Sequence, residues 1–288
     1  MKKGGNLDLK NLKKQAYHIR KDIILSLTEA GSGHLGGSLG LADVFTVLYF
    51  QILNHKPIEP EWTERDRLIL SIGHVAPVLY TTLAHAGYFP INELLTLRKL
   101  GSRLQGHPGK DHGLPGIELS AGSLGQGLSV SVGRALAAKM DQKTWRVYCI
   151  LGDGELQEGS VWEAAMSASH HGLDNLCAVV DRNFLQIDGK NSDVMELEPL
   201  EEKWRSFGWH VIPCDGHDHV GLIHAFEQAK TVKEKPTVII AKTAMGKGVK
   251  SIEGDYKWHG KVPSREQTKE FIREIEAGEV KTNNKIII

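Results

Sequence analysis

An aspartate between two glycines, Gly152-Asp153-Gly154, closes the apolar run "VYCIL", and Asn183 closes the next run, "CAVVDRN", thirty positions after Asp153. Two glycines let backbone approach an oxygen-rich ligand, and a helix starting just beyond them offers free N–H groups. That much suits a phosphate. A bare carboxylate facing phosphate repels it unless a cation lies between, so Asp153 calls for a metal. A carboxylate, an amide oxygen and a backbone carbonyl make a hard oxygen site for Mg²⁺ or Ca²⁺, with phosphate oxygens completing the shell. The plain alternative is an Asp-Gly turn and an Asn-capped loop. An acid and an amide, each at a strand end, favour the metal–diphosphate reading.

The histidines are the second candidate set. Of the 14 in the chain, His34, His74 and His107 each follow a glycine directly, and His259 sits in "WHGK". A glycine-rich turn is a poor setting for a core residue, whereas imidazole exchanges protons near neutral pH and bonds sugar hydroxyls in either role. The plain alternative for each is a surface loop histidine. His170, His171, His217 and His219 are read as solvent-facing caps and turns. Their His-His and His-x-His spacings resemble metal sites, but no further ligands accompany them.

These residues need elements to position them. Leu9, Leu12, Ala16, Ile19, Ile23 and Leu27 recur at helical spacing. That helix is expected to stop at the glycine-rich "EAGSGHLGGSLG" (29–40), with a second helix over Leu41–Leu53. A short buried strand over Arg67–Ser71 breaks at Gly73-His74 into a helix through "APVLYTTLAHAG". Helices are also expected through "INELLTLRKLG" and "LSVSVGRALAAKM". From there strands "WRVYCILGD", "NLCAVVDRN", "WHVIPCDG" and "PTVIIAKT" alternate with helices "GSVWEAAMSASHHG" and "HVGLIHAFEQAK". Continuous apolar strands alternating with helices predict an α/β fold: an open, mostly parallel sheet with helices on both faces. Such sheets bind ligands at the carboxyl ends of their strands, where the polar and glycine-rich turns fall. One domain is expected over 1–265. Residues 266–288 form a C-terminal tail or helix, packed outside the sheet or partly mobile.

Composition excludes several classes. Among 288 residues, Lys+Arg and Asp+Glu balance at 35 each, so no global field draws in nucleic acid or an anionic membrane. No run reaches the length of a membrane span, and "MKKGGNLDLKNLKK" lacks the apolar core of a signal peptide. Cys149, Cys177 and Cys214 are widely separated and read as reduced thiols. A cytoplasmic location follows as the expectation. No G-x-G-x-x-G opens a helix after the first strand, which disfavours a dinucleotide site.

"GDG", then "N", resembles the diphosphate-binding signature of thiamine diphosphate enzymes. "GDGELQEGSVWEAA" and "DRNFLQIDG" are similar to the transketolase family in particular. So are "SGHLGGSLG" (32–40), "RLILSIGH" (67–74), "QGHPG" (105–109), "SAGSLGQGLS" (120–129) and "WHGK" (258–261), in family order along nearly the whole chain. The resemblance implies that Asp153, Asn183 and the Leu185 carbonyl ligate Mg²⁺, for which Ca²⁺ or Mn²⁺ can substitute. It implies backbone contact to the diphosphate at Gly122, Gly152 and Gly154, with Leu124 and Ile187 against the cofactor rings. By the same resemblance His74 and His259 bond diphosphate oxygens, while His34, His107 and His259 line a substrate channel. Glu158 and Glu163 lie at the contact between two active sites, and Lys261 is an active-site neighbour.

Three departures from the family pattern stand out. Leu35 follows the first channel histidine where most members have Pro, and Ser123 replaces Pro in "GPLGQG". Further, the pyrimidine-binding domain, which supplies the Glu that activates the cofactor, has no counterpart before Ile288. The reading that results is the N-terminal subunit of a split transketolase of the pentose phosphate type. It would move a two-carbon unit between sugar phosphates, with a separately encoded C-terminal partner and two copies of each chain. The alternatives are half of a deoxyxylulose-phosphate synthase, a dihydroxyacetone synthase or a specialised sugar transketolase, or a cofactor-binding module without catalysis.

Overall fold

The computed structural model describes residues 8–284, and side chains over 8–278. Five strands form one parallel sheet: β1 (Arg67–Leu70), β2 (Val147–Gly152), β3 (Leu176–Arg182), β6 (His210–Asp215) and β7 (Thr237–Lys242). Their spatial order is β1-β2-β3-β7-β6. A two-stranded hairpin, β4 (Leu185–Gln186) with β5 (Gly189–Lys190), follows β3 directly.

The strand sequences alternate between two cores, as a strand's two-residue period requires. Tyr148, Ile150, Cys177, Val179, Ile239 and Ala241 face one core, and Cys149, Leu151, Ala178, Val180, Val238 and Ile240 the other. The first core is covered by α1 (Leu9–Ala30), α2 (Leu35–Gly40), α3 (Ala42–Val47), α4 (Ala76–His85), α9 (His219–Thr231) and α10 (Arg265–Asn284). The second is covered by α5 (Gly127–Met140), α6 (Gly159–His170) and α8 (Leu200–Ser206); a single turn, α7 (Asn191–Val194), precedes α8. This is the expected α/β architecture with helices on both faces.

Local departures have local causes. The glycine-rich 35–40 segment, expected as loop, is helical and wholly buried, because neighbouring segments leave no room for side chains at its glycines. The helix expected through "INELLTLRKLG" is 3₁₀ turns over Ile91–Thr96, since only Leu94 of those turns is buried and little packing supports a longer helix. The helix over 41–53 is α3 extended by a π-turn, Leu48–Ile52. After Pro263, α10 docks on α1: Phe271 and Ile275 are buried and the Thr28 and Thr268 hydroxyls lie 2.7 Å apart. All three cysteines are free, Cys149 and Cys177 buried and Cys214 half-buried. Among the described residues no helix is long and apolar enough to cross a membrane.

Candidate active site

The strands end in step. Leu70 pairs with Ile150, and Gly152 with Asp181, so the turns after β1, β2 and β3 leave the sheet at one edge. They line a cavity of about 350 Å³ that holds Asp153, Asn183, Leu185, His34, His74 and His259. Four larger hollows, of about 600, 590, 400 and 400 Å³, lie elsewhere and lack these glycine turns. Chemistry rather than volume therefore marks the site.

Asp153 is 2% exposed. Its carboxylate accepts from the Arg182 guanidinium at 3.1 Å, from Phe184 N–H at 2.7 Å and from Gly154 N–H at 2.8 Å. Burial pushes its carboxyl upward, and Arg182 with the two amides opposes that rise. Asn183 donates its Nδ2 to Asp181 at 2.9 Å and accepts Leu185 N–H on Oδ1 at 2.9 Å. This leaves an amide-oxygen lone pair beside the cavity. Asp181 is buried, its carboxyl raised to about 7 by burial, and Thr243 Oγ1 donates to it.

Glu155, which the sequence reading did not single out, ties three turns together. Its carboxylate accepts from Ser71 Oγ, from Gly125 N–H at 2.8 Å and from Gly152 N–H at 3.1 Å. The turn carrying Gly122 and Leu124 is thereby fastened to the ends of β1 and β2. Gly125 adopts φ +82°, and a Cβ there would lie 2.6 Å from Ser160 Oγ, so glycine is required.

Four imidazoles from distant parts of the chain cluster here: His34, His74 and His259 line the cavity, and His107 lies beside His34. Ring centroids are 5.0 Å apart for His34–His74, 5.0 Å for His74–His259, 5.6 Å for His34–His259 and 6.4 Å for His34–His107. Burial, with the charges of His259, Arg98 and His107, pushes His34 down to about 4. Burial and the three neighbouring histidines take His74 down to about 3. His107 and His259 are lowered chiefly by burial. The set is neutral at pH 7, so each ring offers one donor and one acceptor. Nδ1 of His34 and of His259 are buried without a hydrogen-bond partner. Arg98, a residue the sequence reading missed, donates to Ser32 Oγ at 3.0 Å beside this set.

Other anticipated residues lie at the margins. Gly122, Leu124, Gly152, Gly154 and Ile187 all line the cavity, Ile187 being 63% exposed. Glu158 and Glu163 are exposed near the start of α6. Lys261 Nζ lies over the Trp258 ring, 4.5 Å from its centre, rather than in the cavity. His170 and His171 lie at the surface end of α6 as anticipated, and among the described residues no metal-binding cluster of three or more His, Cys, Asp or Glu occurs.

The reading of His217 and His219 as solvent-facing is wrong. His219 is 5% exposed, and both rings bond Asp43 on α3, His217 Nδ1 at 2.8 Å and His219 Nε2 at 2.9 Å. Asp218, between them, is the residue that caps α9, accepting Val220 N–H. A buried carboxylate 176 positions away from His219 leaves no local signal in the sequence.

Residues 12–277 match the family described as Transketolase, thiamine diphosphate binding domain. The chain is 45% identical over 266 residues to the 6-deoxy-6-sulfo-D-fructose transketolase subunit of Clostridium sp. (strain MSTE9), covering 92% of this chain and 96% of that one. It is 42% identical to an apulose-4-phosphate transketolase subunit from Phocaeicola vulgatus, covering 93% and 95%. Its fold superposes on transketolase from Leishmania mexicana with TM-score 0.87 and 33% identity, over 92% of this chain but only 41% of that larger one. The chain belongs to the transketolase family, and the part of the family it spans is the N-terminal, thiamine diphosphate-binding domain.

Proposed function

We propose that this chain is the thiamine diphosphate-binding subunit of a two-chain transketolase, moving a two-carbon ketol unit reversibly from a ketose to an aldose. One observation carries the reading: Asp153 and Asn183 stand at neighbouring strand ends, facing a cavity walled by neutral imidazoles. Two relatives matched almost end to end are named as transketolase subunits, which supports a separate partner chain.

The residues present fit the cofactor. The Asp153 carboxylate, the free lone pair of Asn183 and the Leu185 carbonyl are hard oxygen donors and would hold Mg²⁺, or Ca²⁺ or Mn²⁺ in its place. Gly122, Gly152 and Gly154 would present backbone to the diphosphate, with His74 and His259 bonding its oxygens. Leu124 and Ile187 would flank its rings. When bound, thiamine diphosphate supplies the carbon nucleophile for ketose cleavage. His34, His107 and His259 would orient the sugar's carbonyl and hydroxyls, and as neutral rings they can pass protons between those oxygens without carrying a fixed charge. Lys261 would act only as a neighbour of His259.

An exposed apolar surface beside the cavity, reaching it at Ile187, supports a protein partner. Phe184, Ile187, Val194 and Met195 are 39, 63, 42 and 61% exposed around the β4–β5 hairpin, an apolar rim of the kind another chain covers. Exposed Glu158 and Glu163 would face the second active site in an assembly of two copies of each chain. We place the enzyme in the cytoplasm, in pentose phosphate metabolism. A second reading is a specialised donor, because the two relatives are each named for a particular sugar, one a sulfonated fructose and one apulose 4-phosphate. The test mixes this chain with its C-terminal partner, thiamine diphosphate, Mg²⁺ and a panel of phosphorylated and sulfonated ketoses with aldose acceptors. Two-carbon transfer is expected, and the preferred donor separates the readings; reproducible absence of transfer with every pair sinks both.

A further inference from the structure

We infer that His217 is a positioning residue for the cofactor pocket, holding the Ala244–Met245 wall in place through a buried hydrogen-bond hub on Asp43. The inference deepens the thiamine diphosphate reading and rests on it for the ligand, though not for the geometry.

The hub joins three separate parts of the chain. Asp43 accepts from both terminal nitrogens of Arg20 on α1, at 3.2 and 2.5 Å, and from His217 Nδ1 and His219 Nε2. Its side chain is 8% exposed. Burial opposes the charge, but Arg20 and the two imidazoles overcome it and hold the carboxyl well below its usual range. Asp43 is therefore a fixed acceptor, and His217 Nδ1 must be the donor to it. His217 Nε2 is then an acceptor, and Ala244 N–H donates to it at 2.9 Å. Both ring nitrogens are spoken for, so turning or flipping the ring breaks two bonds at once.

Ala244 lies just beyond β7, and the next residue, Met245, forms part of the cavity wall. On either side of Ala244 the segment is tied to the pocket's own frame. Thr243 Oγ1 donates to Asp181 at the end of β3, and Gly246 N–H donates to Gly36 O on α2 at 2.9 Å. His217 instead ties the segment, through Asp43, to α1 and α3 behind that frame. The fit against α2 is close: a Cβ on Gly40 would lie 3.0 Å from Ala244 O, and one on Gly36 2.5 Å from Met245 Cγ. Because α2 begins immediately after His34, a shift of the Ala244–Met245 wall is passed to His34 as well as to the cofactor.

The test uses the assembled two-chain complex carrying His217→Ala or His217→Gln, where Gln retains one donor and one acceptor. Calorimetry reads the affinity for thiamine diphosphate with Mg²⁺, and hydrogen exchange without cofactor reads the peptide spanning 243–249. His217→Ala removes both bonds of the ring; losing the one that holds Ala244 is expected to weaken binding about five- to tenfold and to speed exchange of that peptide. His217→Gln is expected to restore most of both. Unchanged affinity and exchange in His217→Ala, or a general loss of stability that Gln does not rescue, overturns the inference. Should His217→Ala fail to assemble, Met245→Ala removes the wall and leaves the hub; wild-type affinity there overturns it equally. A wild-type complex that binds no thiamine diphosphate overturns the functional reading instead, and the exchange experiment still decides the role of His217.

Discussion

Arg182 reaches the Asp153 carboxylate at 3.1 Å, with the two side chains 5% and 2% exposed. The same guanidinium extends to Glu198 at 2.7 Å and lies over the Phe184 ring, 4.0 Å from its centre. The proposed metal carboxylate therefore already has a cationic partner, one residue before Asn183. Replacing Arg182 by Met removes that partner and leaves a buried charge unpaired, which is expected to cost about 3–5 kcal/mol. Chemical denaturation of the variant measures the loss, and added Mg²⁺ with thiamine diphosphate should recover part of it by neutralising Asp153. A variant as stable as the parent would show that the pair is dispensable.

Asp153→Ala deletes the one carboxylate of a metal site whose other proposed ligands are uncharged. Affinity for thiamine diphosphate with Mg²⁺ is expected to fall by roughly a hundredfold or more in the assembled complex, as for loss of a charged metal ligand. Isothermal calorimetry checks it, and wild-type affinity would reject the metal assignment.

His34→Ala should behave differently. On the proposed assignment His34 would face the sugar rather than the cofactor, so cofactor affinity should hold while KM for the ketose rises or kcat falls, the pattern of a lost substrate contact. A parallel loss of cofactor affinity would place His34 on the cofactor instead.

The buried imidazoles also make stability depend on pH. His34 and His74 have folded values near 4 and 3, below the unfolded 6.5. Between those limits the unfolded chain binds more protons than the folded one, so the two rings erode stability as pH falls from about 6.5 toward 4. Asp181, raised to about 7, has the opposite sign, because the folded state keeps its proton and stability declines as pH rises from about 4 to 7. Comparing urea unfolding of wild type and His74→Gln from about pH 4.5 to 7 isolates the histidine part. The stability difference between the two proteins should change with pH in favour of the variant at the acid end; a constant difference would contradict it.

The sequence by itself determined the periodic features. Alternating apolar strands and helices specify a parallel sheet covered on both faces, and the residues at strand ends then fall on one edge by topology alone. That is why Asp153, Asn183 and the three Gly-His turns were legible from residue type and spacing. What the tertiary structure decided are contacts between residues that share no local pattern. Arg182 on Asp153, Glu155 across three turns, and Arg98 beside His34 and His107 depend on where separate segments come to rest. His217 and His219 show the difference most plainly. Their spacing matches a polar helix start, and Asp218 does cap that helix, yet both rings turn inward to a carboxylate contributed by α3. A buried anion must be paired with whichever donors the fold brings within reach, and sequence proximity does not record that pairing. The candidate site residues were written locally; the supports that hold them in position were set by packing.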